Sequence, residues 1–289
     1  MFHLLALLSA AGYALQSVLL VPYARNMDTL SLAFYRGVAF PVTLLPLLLG
    51  ASSGELFAVL REWDMLLLGG IGGGFSLTFA YAAYRFVPVG VAHALQRSVT
   101  TILLAAVAWT FWEENLSPAA VLCIALIIAA GVFLGTRKHA MPHLDERGLL
   151  GLLLVLLSAF SFVLANVAFI TLSRSASPLV GGYFWEAAIA AATVVLLALR
   201  RGAGGRSLER ISLRSFGAIA LRSWPTLLGT GCFGLAVRLG PVAVLGAVGT
   251  VSLAFTALLA HWLYGEKLRP AQWLSIAAVI AGILGLRFA

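Results

Sequence analysis

Residues 88–113, PVGVAHALQRSVTTILLAAVAWTFWE, align without a gap on residues 241–266, PVAVLGAVGTVSLAFTALLAHWLYGE. The pairs Pro88/Pro241, Val89/Val242, Val91/Val244, Ala94/Ala247, Trp109/Trp262 and Glu113/Glu266 are identical, and Arg85 matches Arg238 in the same frame. A second echo lies near the start of each half, where residues 5–15, LALLSAAGYAL, return as residues 154–164, LVLLSAFSFVL. The two offsets are nearly equal, so the chain reads as two copies of one unit, residues 1–139 and 149–289, joined by a loop at 140–148.

The composition says what kind of unit this is. Of the 289 residues 61% are hydrophobic and 10% charged, and the mean hydropathy is +1.00. A soluble domain carries about 25% charged residues, so this chain cannot cover a surface facing water and must sit in a membrane. Its net charge of +8 is not the footprint of a nucleic-acid partner. The bases lie in loops between apolar runs, where they set orientation and meet lipid headgroups. Cys123 and Cys232 sit inside apolar runs without metal-ligand spacing, so they read as small packing residues, with no metal site and no cofactor implied. The first apolar run lacks the basic flank of a signal peptide and its echo is internal, so it is expected to be retained as a helix.

A spanning helix needs about 20 mostly apolar residues. Ten runs qualify: 3–22, 28–49, 64–86, 88–111 and 117–136 in the first half, and 149–172, 178–199, 215–239, 241–263 and 270–288 in the second. None alternates at period two, which excludes a barrel of strands. The expected fold is an all-α integral membrane protein of ten transmembrane helices. Five helices per half is an odd number, so the second half enters from the opposite side, and the repeats are inverted about an axis in the membrane plane. Such a pair can close on either side at similar energy, the basis of alternating access. In an apolar chain this pattern points to transport around a central site.

Several motifs carry a family resemblance. Tyr84-Arg85-Phe86-Val87-Pro88-Val89-Gly90-Val91-Ala92, Trp262-Leu263-Tyr264-Gly265-Glu266-Lys267-Leu268, Phe34-Tyr35-Arg36, and the last run with Gln272 and Ala281-Gly282 occur in this order within the repeat. Together they resemble the drug/metabolite transporter superfamily, in its ten-helix EamA-type branch. The resemblance implies a central cavity lined by the fourth run, and peripheral fifth and tenth runs that can form a homodimer. Their small-residue faces, Gly131-xxx-Gly135 and Ala281-xxx-Gly285, serve intramolecular packing equally well. The sequence departs from the family where a proline commonly interrupts the fourth and ninth helices. Thr100 and Leu253 stand there, so helix breaks are not expected and binding should rest on side chains.

An ionisable group at a helix centre in hydrocarbon costs at least about 2.5–3.5 kcal/mol, so it must face a partner or a wet cavity. Arg36, Arg97 and Glu186 lie well inside runs. Arg36 and Glu186 occupy matching places in the repeat, and read either as a charge pair or as a site for a substrate amine or a coupling proton. Arg97 follows Gln96, with His93 one turn earlier on the same face, and its counterpart in the second half is Thr250. The fold therefore does not demand the charge, and a planar guanidinium suits a carboxylate or phosphate. Gln16 and Asn166 are candidate solute ligands or inter-helix bonds, and Tyr81 and Trp185 are candidate cavity walls.

Nothing resembles a nucleotide-binding loop, HExxH or GxSxG, so neither ATP drive nor an enzyme is expected. The leading expectation is a secondary transporter that exports or exchanges a small polar or amphipathic metabolite, amino-acid-like or an organic anion. The alternative is a flippase or transporter of a lipid-linked or nucleotide-linked sugar. A closed cavity of about 300–1,000 Å³ would favour the metabolite, and a groove open to lipid the sugar.

The odd-numbered loops hold Arg25, Arg85, Arg137, Lys138, Arg147, the basic run from Arg200 to Arg222, Lys267 and Arg269, whereas the even loops and the C-terminus hold Arg61, Arg174, Arg238 and Arg287. By the positive-inside rule both termini face outward across a bacterial inner membrane, opposite to the habit of the family it resembles. Reporter fusions at both ends should therefore be active on the outside and silent in the cytoplasm; the reverse would mean that the arginine bias does not set the topology.

Overall fold

The computed structural model describes residues 1–87, 89–136, 146–205, 207–265, 268–286 and 288. Pro88, residues 137–145, Arg206, Glu266, Lys267 and Arg287 lie outside the described residues, and so does most of the inter-repeat loop. Every regular element among the described residues is helical. In chain order these are α1 (Phe2–Asn26), α2 (Thr29–Thr43), a 3₁₀ turn (Leu45–Leu48), α3 (Ser53–Arg61), α4 (Trp63–Ala83), α5 (Val89–Phe111), α6 (Pro118–Thr136), α7 (Glu146–Ser175), α8 (Pro178–Gly202), α9 (Leu213–Ser223), α10 (Thr226–Val237), α11 (Val242–Gly249), α12 (Ser252–Tyr264) and α13 (Pro270–Leu286).

Six stretches are long and apolar enough to cross a bilayer: Phe2–Ala24, Trp63–Ala83, Val91–Phe111, Glu146–Ser175, Pro178–Gly202 and Val242–Tyr264, with Pro118–Phe133 and Pro270–Leu286 as shorter apolar helices. The chain is a multi-pass membrane protein. Leucines such as Leu149, Leu153, Leu156 and Leu164 are exposed on α7, which only a hydrocarbon solvent tolerates.

The helices depart from the ten runs in instructive ways. The second run ends as a helix at Thr43 and tightens into the 3₁₀ turn, because Pro46 donates no N–H and disfavours helical backbone in the residue before it. Helix α3 was not among the runs. Its sequence is too short to span, but Ser52 and Glu55 form a reciprocal capping box that satisfies two orphan N–H groups. Hydrogen bonds from the Ser52 backbone, Ser177 and the Ser52 hydroxyl hold the Glu55 carboxyl below the usual range. The eighth run divides into α9 and α10 at Trp224-Pro225.

The ninth run breaks too, although no proline requires it. Thr250 N–H donates to Ala247, Val251 to Val248 and Leu253 to Thr250, a 3₁₀ turn that separates α11 from α12. The expectation of unbroken helices there fails for a tertiary reason. The turn frees the Gly246 carbonyl, and the Thr101 hydroxyl of α5 donates to it at 3.2 Å, with Thr250 Oγ1 3.0 Å away. A hydroxyl on the opposing helix thus satisfies the backbone group that a proline break would also have freed.

Close approach of backbones rests on glycine. At Gly72 of α4 an added Cβ would lie 2.7 Å from Ser161 O and 2.8 Å from Ala165 N of α7. Helices α6 and α13 use their small residues on each other: a Cβ at Gly282 would meet Ile127 Cγ1 at 2.6 Å. Gly131 faces Thr250 and Leu253, and a Cβ at Gly285 would meet Cys123 Sγ at 2.6 Å, so these two positions pack within the chain, whereas Ala281 is exposed; the side chains at 134–136 lie outside the described residues.

Both ends of the bundle are tied by carboxylates. At one end Asp28 accepts from Arg200 Nη1 at 3.0 and 2.9 Å, while its backbone N–H donates to Glu209 at 2.8 Å. At the far end of α5, Glu114 pairs with Arg174 at 3.0 Å and accepts the N–H groups of Val242 and Ala243 at 3.0 and 3.2 Å, capping the positive N-terminus of α11.

Substituting Gly72→Ala should lower stability by about 1–3 kcal/mol, the usual cost of overpacking, because both obstructing atoms are backbone. Gly217→Ala on α9 meets nothing within 4 Å and should be neutral or slightly stabilising. Thermal unfolding of the two variants in detergent checks the contrast.

Candidate functional site

Two polar clusters meet in the membrane interior. The first joins α1, α2, α8 and α10. Gln16, oriented so that both ends of its amide are satisfied, accepts from Arg36 Nε at 2.8 Å and Nη2 at 3.0 Å and donates to Thr226 Oγ1 at 3.1 Å. The Arg36 guanidinium lies 4.8 Å from the Phe40 ring centroid, a stacking that suits its weak hydration. Glu186, 3% exposed, accepts the Thr230 hydroxyl at 3.0 Å, and Tyr13 OH lies 3.0 Å from the same Thr230 oxygen. A hydroxyl has one proton, so when Thr230 donates to Glu186 the tyrosine must donate to Thr230.

Arg36 and Glu186 do not form an ion pair: among the described residues the ion pairs are Arg85–Asp28, Arg174–Glu114 and Arg200–Asp28. The half-buried Arg36 and the buried Glu186 are each hydrogen-bonded to neutral partners instead. The matching repeat positions bring them to one cluster but not into contact.

The second cluster joins α5, α7, α10 and α11. Arg97, Thr100, Thr101, Phe162, Asn166, Phe233, Gly246 and Gly249 line a cavity of about 30 Å³, roughly the volume of one water. The Arg97 guanidinium stacks on Phe162 at 5.2 Å, and no described residue accepts a hydrogen bond from it. Asn166 Nδ2 donates to Phe162 O at 2.7 Å. Tyr13 links the clusters, since Glu186, Arg97 and Arg36 all lie within electrostatic range of its hydroxyl.

The remaining sequence candidates fall elsewhere. Gln96 Nε2 donates to Ser158 Oγ at 2.7 Å and to Ser76 Oγ at 3.4 Å, so it braces α5 against α7 and α4 rather than accompanying Arg97. Trp185 does not line the cavity beside Arg97. It stacks on Phe169 at 4.7 Å, donates to Ala165 O at 2.9 Å and is 3% exposed. Tyr81 packs edge-on to Tyr84 at 5.9 Å in the cluster with Leu20 and Leu32, and His93 is half-buried on α5. Thr226 and Thr230, absent from the sequence candidates, turn out to organise the first cluster. Their spacing of one helical turn on α10 was the available signal, but threonine in an apolar run usually bonds its own helix.

The helices and these clusters are those of a multi-pass membrane protein. The model of the EamA-like transporter family matches residues 149–288, the second of the two units delimited by the internal repeat. The second half of the chain is therefore similar to the EamA-like transporter family. No curated protein sequence matches it. A solved crystal structure, described simply as that of a protein, is 19% identical and superposes with a TM-score of 0.76, covering 99% of this chain and 95% of its own. At that identity the likeness shows the fold alone.

Replacing Thr230 by valine keeps its contact with Gly182 (a Cβ there would lie 2.8 Å from Thr230 Cγ2) but leaves the Glu186 carboxylate without its donor. Such a loss costs about 1–3 kcal/mol. The variant should unfold at lower temperature, and Thr230→Val combined with Glu186→Gln should recover part of the difference.

Proposed function

We propose that this protein is a secondary transporter that exports or exchanges a small metabolite carrying an anionic group, amino-acid-like or an organic anion, by alternating access between two inverted five-helix repeats. The single observation that carries this reading is Arg97, a guanidinium inside the membrane bundle, stacked on Phe162 with no hydrogen-bonded protein partner among the described residues. An unpaired charge in hydrocarbon is costly, and a solute carboxylate or phosphate is what it lacks.

The packing of the helices supports the repeat. Exchanging the halves converts α4 against α7 into α10 against α1, and α5 against α7 into α11 and α12 against α1. The pairs α5 with α11, α2 with α8 and α6 with α13 map onto themselves. That pattern, with the first run counted through α1 and the tenth through α13, favours ten crossings related by a two-fold axis.

The cavity beside Arg97 is far smaller than a metabolite, and both carboxylate ties at the ends of the bundle are formed. We read this as an arrangement closed on both sides, from which breaking either tie opens a path to the centre. Glu186 and Arg36 complete the proposed site: the hydroxyl chain through Thr230 and Tyr13 lets Glu186 take or give a proton when a charge arrives at Arg97.

Replacing Arg97 by lysine keeps the charge but loses the fork, so transport of a carboxylated solute should weaken by about 10–100-fold, the worth of a charged hydrogen bond. Arg97→Ala should abolish it while insertion and folding persist. The assay is uptake and efflux in reconstituted vesicles against a metabolite panel. Normal transport by Arg97→Ala would overturn the anion site and turn attention to Glu186 and a cationic solute.

A further inference from the structure

A separate groove of about 480 Å³ lies at the end of the bundle where Asp28 meets Arg200, between the last turn of α1 and α9. Its walls include Asn26, Arg210, Ser212, Ser215 and Arg222. Arg222 stacks on Tyr23 at 5.1 Å, and neither Arg210 nor Arg222 has a hydrogen-bonded or ion-paired acceptor among the described residues. Glu209, also on the wall, accepts the Asp28 N–H and forms no ion pair with either arginine among the described residues, so the two guanidiniums outnumber the one carboxylate there. The site stands apart from the central clusters and shares no residue with them.

Helix α9 shows which surface the groove faces. Leu213 and Leu221, 84% and 76% exposed, stand one side of a helix whose other residues include Arg214 and Arg222, and the exposed Trp224 follows at its end. An apolar face edged by arginines and closed by a tryptophan is the composition of a helix lying in a headgroup layer. Two open guanidiniums beside serine hydroxyls then sit at headgroup depth.

We propose that this groove is a binding site for a phosphate group, supplied by the headgroup of an anionic lipid, which Arg210 and Arg222 hold with Ser212 and Ser215 at its base. Because Glu209 ties the same loop to Asp28 and to Tyr35, whose hydroxyl donates to Glu209 O at 2.8 Å, an occupied groove braces this end of the bundle. The proposal does not depend on the solute or on Arg97.

The test is retention of phosphatidylglycerol by the purified full chain, extracted from phosphatidylcholine vesicles doped with that lipid and read by native mass spectrometry. Arg210→Gln and Arg222→Gln should each lower retention by about tenfold or more, as expected for a charge-assisted hydrogen bond. Arg201→Gln, exposed and off the groove, should cost at most about fivefold, the effect of diffuse attraction to an anionic surface. Displacement of the lipid by inorganic phosphate would show that the groove takes the free ion as well, and resistance to it that the site needs the lipid tail. Equal losses in all three variants, or no preference for phosphatidylglycerol over phosphatidylcholine, would overturn the proposal.

Discussion

The controlling constraint is that hydrocarbon offers no hydrogen bonds, so each polar group within the bundle needs a partner from the protein itself. That requirement bears on the break between α11 and α12 as much as on the side chains. The Gly246 carbonyl, freed by a 3₁₀ turn, is met by Thr101; the Gln16 amide is met by Arg36 and Thr226; Trp185 finds Ala165 O. Against that background the unanswered guanidinium of Arg97 is conspicuous, and the proposed solute site follows from it.

Burial also governs how the two interior charges behave. A direct Arg36–Glu186 pair would have removed both from service, since a satisfied buried ion pair is costly to open. Neutral partners leave each group stabilised but not cancelled. Thr230 is the residue on which this depends, because it orients its single proton toward Glu186 and obliges Tyr13 to donate in turn. Cation–π contacts with Phe40 and Phe162 do similar work for the arginines, offering a polarisable face without a counter-charge.

Close packing and mobility are arranged around glycine and around the ends. The α4–α7 seam brings backbones together at Gly72, which makes that pair of helices a rigid body. The terminal carboxylates Asp28 and Glu114 instead bond to arginines and backbone N–H groups, contacts that water can replace at the membrane surface.

The sequence by itself determined the membrane setting, the helical class and the echo between its halves, because hydropathy and repeat spacing are properties of the chain alone. It also marked Arg97, Arg36, Glu186, Gln16 and Asn166, since an ionisable or amide group in an apolar run is visible without a fold. It could not tell which of these touch. Gln96 and Trp185 are polar or aromatic in the right runs, yet their neighbours on α4 and α7 claim them for packing. Thr226 and Thr230 look like ordinary threonines until α10 brings them against Gln16 and Glu186. The break before α12 was hidden for the same reason: its cause is not a proline in the strand of residues itself but Thr101 on another helix, and a hydrogen bond between residues 145 positions apart exists only once the chain has packed.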